Sequence, residues 1–161
     1  MNTTTQTSRV AERAGFTTLE IMIVVSIIAL LSALALPRFM ESRNRAQETH
    51  LISDLRTVAA ALEQYAITMG DYPPDSPAAS IPSGLNEFTT RFHWDRPSAV
   101  GGLWDWDKGA VGLSDSISLL GPSLSDDRAQ LIDRRIDDGD LVTGFFQKRA
   151  DGGGFVLRVG G

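Results

Sequence analysis

The 161-residue sequence contains no cysteine. Disulfide staples, thiolate metal sites and a cysteine nucleophile are excluded together, and the redox compartment is left unread. Histidine occurs only at His50 and His93, neither read as having a partner at metal-ligand spacing. Basic residues are also short: 15 Lys and Arg stand against 20 Asp and Glu, a net charge of −5. No long basic run is present, which argues against nucleic acid as a partner, since phosphate contacts need clustered Lys and Arg. Nucleophile elbows, HExxH and paired catalytic carboxylate motifs are missing, and Gly152-Gly153-Gly154 follows no strand-to-helix pattern that would cradle phosphate. The chain does not read as an enzyme.

What is present is a sharp asymmetry. The length suits one globular domain, and 42% apolar residues exclude wholesale disorder. Nearly all the continuous hydrophobicity lies between Phe16 and Leu36, in a run with one ionisable side chain, Glu20, and no Gly or Pro. As a helix this run is roughly 30 Å long, enough to cross a bilayer core. Three readings compete. It is a plain anchor, or a secretory signal with Arg9 and Arg13 as its basic region and Ala33-Leu34-Ala35 as its cleavage site. Both leave Glu20 unexplained, and a carboxylate in such a segment defaults to a functional role.

The third reading accounts for more residues. Arg13-Ala14-Gly15-Phe16-Thr17-Thr18-Leu19-Glu20, followed by the apolar run and Pro37, resembles the N-terminal signature of type IV prepilin-like proteins, the type IV pilins and type II secretion pseudopilins. The resemblance implies a leader at 1–15 and a hydrophobic membrane and filament-core helix at 16–37. A pilin-like head at 38–161 would include the second half of the long helix. It implies cleavage after Gly15 by a prepilin peptidase, N-methylation of Phe16 by the same enzyme, and retention of the helix as anchor. Glu20 matches the family's acidic residue facing a neighbouring subunit's amino terminus, and Pro37 its helix-bending proline. The implied partners are that peptidase and methyltransferase, other pilin or pseudopilin subunits, an inner-membrane assembly platform and the lipid bilayer. The implied place is the bacterial inner membrane, single-pass with the head outside the cytoplasm, then a periplasmic or extracellular filament. Two positions depart from the family's pattern: Thr18 where a bulky aliphatic is usual, and Ala29 where glycine is frequent.

Beyond Pro37, Leu51, Leu55, Val58, Leu62, Tyr65 and Met69 recur at helical spacing and predict one apolar stripe, ended by Gly70 and Pro73-Pro74. One helix from about Phe16 to Met69 is expected, kinked near Pro37. Arg38, Arg43 and Arg45 cluster past the apolar run, either as a solvated face or as contacts to lipid headgroups or acidic neighbours. Residues 71–98 read as loop with one short helical turn. A hairpin is expected from Leu103–Asp107 and Val111–Leu119 around Lys108-Gly109. A helix capped by Ser125 should present Ala129, Leu131, Ile132 and Ile136, stopping at Gly139. Leu141–Arg149 and Phe155–Val159 predict a second hairpin. The expected fold class is α+β: one long N-terminal helix on a small antiparallel sheet.

Two groups in the head invite functional readings. Trp94, Trp104 and Trp106 would serve a secreted or membrane-anchored binding module as a stacking platform, or else cover the long helix as core. Asp133, Asp137, Asp138 and Asp140 are the densest acidic group. Major pseudopilins bind calcium in a late acidic loop, so Asp137, Asp138 and Asp140 are calcium candidates by resemblance. Their spacing fits neither the EF-hand nor that family's loop, and a solvated helix end is the plainer reading.

Overall fold

The computed structural model describes residues 15–89, 92–109 and 115–160. The leader residues before Gly15, including Arg9 and Arg13, lie outside the described residues, as does the 110–114 segment. By internal contacts the chain divides after Ser42 into two compact units.

The first helix, α1, runs Thr18–Met69, with Pro37 inside it. In the first unit its large apolar side chains, from Leu19 to Met40, are exposed all round. A helix apolar on every face belongs to a membrane or to a partner, because water leaves it no face to hide.

The second unit buries the expected stripe. Leu51, Leu55, Val58 and Leu62 are almost fully buried, together with Ile52 and Ala61. Tyr65 is half-buried, but Met69 is 56% exposed, so the covered stripe ends a turn earlier than its spacing predicts. The described residues of 71–98 form the expected connection, with one helical turn at Leu85–Glu87.

Four strands follow: β1 (Leu103–Asp107), β2 (Ser116–Leu120), β3 (Phe146–Lys148) and β4 (Gly154–Arg158), with α2 (Asp126–Ile136) between β2 and β3. The order is β1-β2-β4-β3 and every pairing is antiparallel. Register explains the core. Trp106, Ile117, Leu157 and Phe146 stand opposite one another across all four strands, and Trp104, Leu119 and Phe155 form the next row. Because side chains alternate, a slip of one residue would turn both rows out of the core. These rows join the α1 stripe, Ala129 and Ile132 in a single buried cluster. Gly154 is required at its place: its φ is +155°, and a Cβ there would strike the Leu119 carbonyl.

Three expectations are corrected. Asp107 pairs with Ser116, so a two-residue Lys108-Gly109 turn does not join the strands; β2 is described from Ser116, and the part of the expected strand from Val111 to residue 114 lies outside the described residues. This register puts Trp104 against Leu119 and Trp106 against Ile117 while β2 also pairs with β4. The strand expected from Leu141 starts only at Phe146, because 141–145 is folded back: Phe145 N–H donates to an Asp137 carboxylate oxygen and Gly144 has φ +76°. In α2 Leu131 is 49% exposed and Asp133 takes the inward place; Ser125 precedes the helix but makes no side-chain cap bond.

Candidate functional site

At the start of α1, Thr17 and Glu20 form a reciprocal cap. The Thr17 N–H and hydroxyl donate to Glu20 Oε2 at 2.8 and 2.9 Å, and the Glu20 N–H donates back to Thr17 Oγ1 at 3.2 Å. This capping box satisfies backbone donors that have no partner within the helix. A Thr-x-x-Glu stretch before an apolar run is its sequence signal, present here as Thr17-Thr18-Leu19-Glu20 but passed over when Glu20 is read only as an assembly residue. Phe16 is 82% exposed beside the cap. A Cβ at Gly15 would meet nothing within 4 Å, so packing does not demand glycine there. The part of α1 that is long and apolar enough to cross a membrane is unburied throughout.

The tryptophans are not a ligand platform. Trp94, Trp104 and Trp106 are 2%, 1% and 0% exposed, and Phe92 meets Trp94 and Trp104 edge-on at 5.3 and 5.0 Å between centroids. Trp106 Nε1 donates to the Pro73 carbonyl at 3.0 Å, tying the turn after α1 to the sheet. No open ring face remains for a sugar or client, so these three residues are core and not the stacking platform of a binding module. His50 also differs from expectation: its Nδ1 lies 2.9 Å from Asp54 Oδ2, one turn along α1.

The acidic group sorts itself at the C-terminal end of α2. Asp133, Asp137 and Asp138 each place a carboxylate oxygen within 4.8 Å of the others. Asp140, expected in the set, instead accepts the Val142 N–H at 3.1 Å. Burial, then the negative charges of Asp138 and Asp137, push the Asp133 carboxyl up to about 6. Asp138 is held below its ordinary value, because it accepts the Asp140 N–H and the Thr143 hydroxyl, each at 2.8 Å.

Comparison with known proteins gives matches of partial length. The chain is 39% identical over 62 residues to type II secretion system core protein G of Pseudomonas aeruginosa, covering 38% of this chain and 44% of that protein. It is 32% identical over 77 residues to the core protein G of Pectobacterium carotovorum subsp. carotovorum, covering 48% and 46%. It is 35% identical over 69 residues to the type IV major pilin protein PilE of Neisseria gonorrhoeae, covering 43% and 41%. Over these stretches the chain is homologous to pseudopilins and type IV pilins. It spans less than half the length of each of these relatives. No family model and no solved structure matches it. The long apolar helix and four-stranded antiparallel sheet agree with the pilin-like α+β fold that the resemblance implies.

Proposed function

We propose that this protein is a structural filament subunit of a type II secretion pseudopilus or a type IV pilus, with no turnover of its own. The observation that carries the reading is an unburied apolar helix capped by Thr17 and Glu20, in a chain homologous to such subunits. Its leader, residues 1–15, is removed after Gly15 by a prepilin peptidase, which then methylates Phe16. Residues 16–37 stay as anchor and filament core, and 38–161 form the head. The open surroundings of Gly15 support this, since a small residue there suits a cutting enzyme more than the fold. The cap uses only Thr17 and Glu20, both downstream of the cut, so it survives processing.

The monomer sits in the inner membrane, single-pass, its head outside the cytoplasm. An assembly platform then draws subunits into a stack. There the Glu20 carboxylate faces the amino group of a neighbouring Phe16, and low dielectric penalises any register leaving either charge alone. Of the two machines the pseudopilus is favoured: the chain has no cysteine to staple its head, as many type IV pilins do.

Intact-mass and N-terminal fragment spectra of membrane-extracted protein test the reading. The expected mature chain begins at methylated Phe16. A chain beginning at Leu36 would establish a secreted protein and overturn the filament reading.

A further inference from the structure

Two helix faces in the second unit lie uncovered among the described residues. On α1, Arg56, Ala60 and Glu63 are exposed on the side away from the buried stripe, at steps of four and three. On α2, Asp127, Leu131 and Arg134 are exposed at the same two steps, on the side away from Ala129 and Ile132. None of the four charged side chains forms an ion pair or a side-chain hydrogen bond among the described residues. Leu131 is 49% exposed although a closed core lies on the other side of its helix. The two triplets are opposites. Where α1 carries a cation, a small residue and an anion, α2 carries an anion, a large apolar residue and a cation.

We propose that the α2 face of one head docks on the α1 face of a second copy of this chain, the two helices laid parallel. Asp127 then lies beside Arg56, Leu131 on Ala60, and Arg134 beside Glu63. The inference rests on the filament-subunit reading and names one surface that such a subunit uses. Equal steps let a single register satisfy all three pairs. Laid antiparallel with Leu131 on Ala60, the helices would set Arg134 near Arg56 and Asp127 near Glu63, like charge against like. Charge therefore selects the direction. Ala60 leaves room for the leucine between the helices, and covering Leu131 supplies the attraction. The exposed ion pairs contribute little on their own and act mainly to fix the register. The contact is small, so it holds where membrane anchors already concentrate the copies.

The fold supplies the direction this contact needs. At the start of α2, Arg128 donates from Nε to Glu48 Oε1 at 2.9 Å and from Nη2 to the Asn44 carbonyl at 3.4 Å. At its end, Asp137 accepts the N–H of Phe145, next to Phe146 in the strand row that holds Trp106. Trp106 is in turn bonded to Pro73, just past the end of α1. The two helices thus run in the same sense through the head, and heads oriented alike present their faces in parallel. The faces stand at different heights. Asp127 lies near the level of Asn44 and Glu48, and Arg56 is a further eight to twelve residues along α1. Docked copies are therefore staggered by roughly 12–18 Å of helix rise. Unlike surfaces meeting with a stagger cannot close on a two-fold axis, so the contact repeats as an open stack.

The test uses the full chain expressed in bacterial membranes. Because the sequence has no cysteine, introduced thiols report without background. Ala60→Cys combined with Leu131→Cys should give, on oxidation, a ladder of disulfide-linked dimers and higher multimers. Each single variant alone should give none, and the two co-expressed should give dimers only. In the double-cysteine chain, Glu63→Arg or Arg134→Glu should lower the ladder about tenfold, and the two together should restore it to within about twofold. An unchanged Tm for these exposed substitutions shows that the head stays folded. A missing ladder, equal disulfides from a single variant, or a ladder indifferent to charge reversal would overturn the contact. Mass separates the two readings: absence of the ladder in a chain processed to Phe16 defeats this contact alone, whereas a chain beginning at Leu36 defeats the filament reading and this contact with it.

Discussion

Thr17 and Glu20 hold each other at the first turn of α1, the carboxylate taking the Thr17 N–H and hydroxyl at 2.8 and 2.9 Å. Glu20 therefore has a task inside its own chain, besides the one proposed between chains. The two tasks make different chemical demands. A cap needs an oxygen acceptor, which glutamine supplies as well as glutamate. Pairing with an amino terminus needs the charge. Glu20→Gln should keep the first turn, insertion and cleavage, yet lose filament assembly as completely as Glu20→Ala. Processed mass from membranes and the yield of sheared filaments measure both. Normal filaments from Glu20→Gln would assign Glu20 to the cap and remove it from assembly.

The unit beginning at Arg43 contains the whole buried cluster, from Leu51 on α1 to Val159. The continuous exposed apolar surface of the first unit ends before it, at Met40. A fragment 43–161 should be soluble, monomeric and cooperatively folded. Sedimentation and thermal melting followed by circular dichroism check this. Its buried tryptophans should emit in the blue and resist quenching by acrylamide. Aggregation from dilute buffer would mean that the head needs its anchor.

Glu48 and Arg128 tie α1 to α2 where both are shielded. Arg128 Nε donates to Glu48 Oε1 at 2.9 Å, and the Arg128 and Glu48 side chains are 23% and 5% exposed. Removing one partner of such a pair leaves a buried charge uncompensated, which costs more than the pair itself contributes. Arg128→Ala should destabilise the head by about 3 kcal/mol, and the double change with Glu48→Leu by distinctly less. Urea unfolding of the four proteins of the cycle measures it. A loss in the double variant equal to the sum of the two single losses would show that the two charges are not coupled.

The parts legible in the sequence are those set by local periodicity. The α1 stripe follows helical spacing, and Trp104 and Trp106 share a face by strand alternation. The β1–β2 register is not local. It depends on where Ser116 finds β4, and Lys108-Gly109 offered a tempting but incorrect turn. In α2 the signal existed but was masked by residue type. Ala129, Ile132, Asp133 and Ile136 occupy one face at spacings of three, four and seven from the first, whereas Leu131 falls off it. Hydropathy favoured the leucine; geometry favoured the aspartate. The Thr17–Glu20 cap is likewise local, carried by the four residues Thr17-Thr18-Leu19-Glu20, but a lone acid in an apolar run points to an intermolecular role as readily as to a cap.

Asp105 offers a test by pH. It stands half-buried on β1, opposite Ser118, on the face away from the tryptophans. Burial, then the charges of Asp107 and Asp75, raise its carboxyl above the ordinary 3.8, with Arg149 and the Trp106 N–H opposing. The folded chain therefore holds this proton more tightly than the unfolded chain. Below 3.8 both states are protonated and the group costs nothing. As pH rises from there through the raised value, the unfolded state sheds its proton first, and native stability falls. At pH 7 the charge is a net burden. Asp105→Asn keeps the shape and removes the charge, so it should raise the Tm of the head at neutral pH. The gain should shrink steadily on acidification and vanish below 3.8. Melting curves of both proteins across that range supply the comparison. A gain that persists undiminished in acid would trace to amide hydrogen bonding, and a loss at neutral pH would mean that Arg149 pairs with Asp105 strongly enough to reverse the sign.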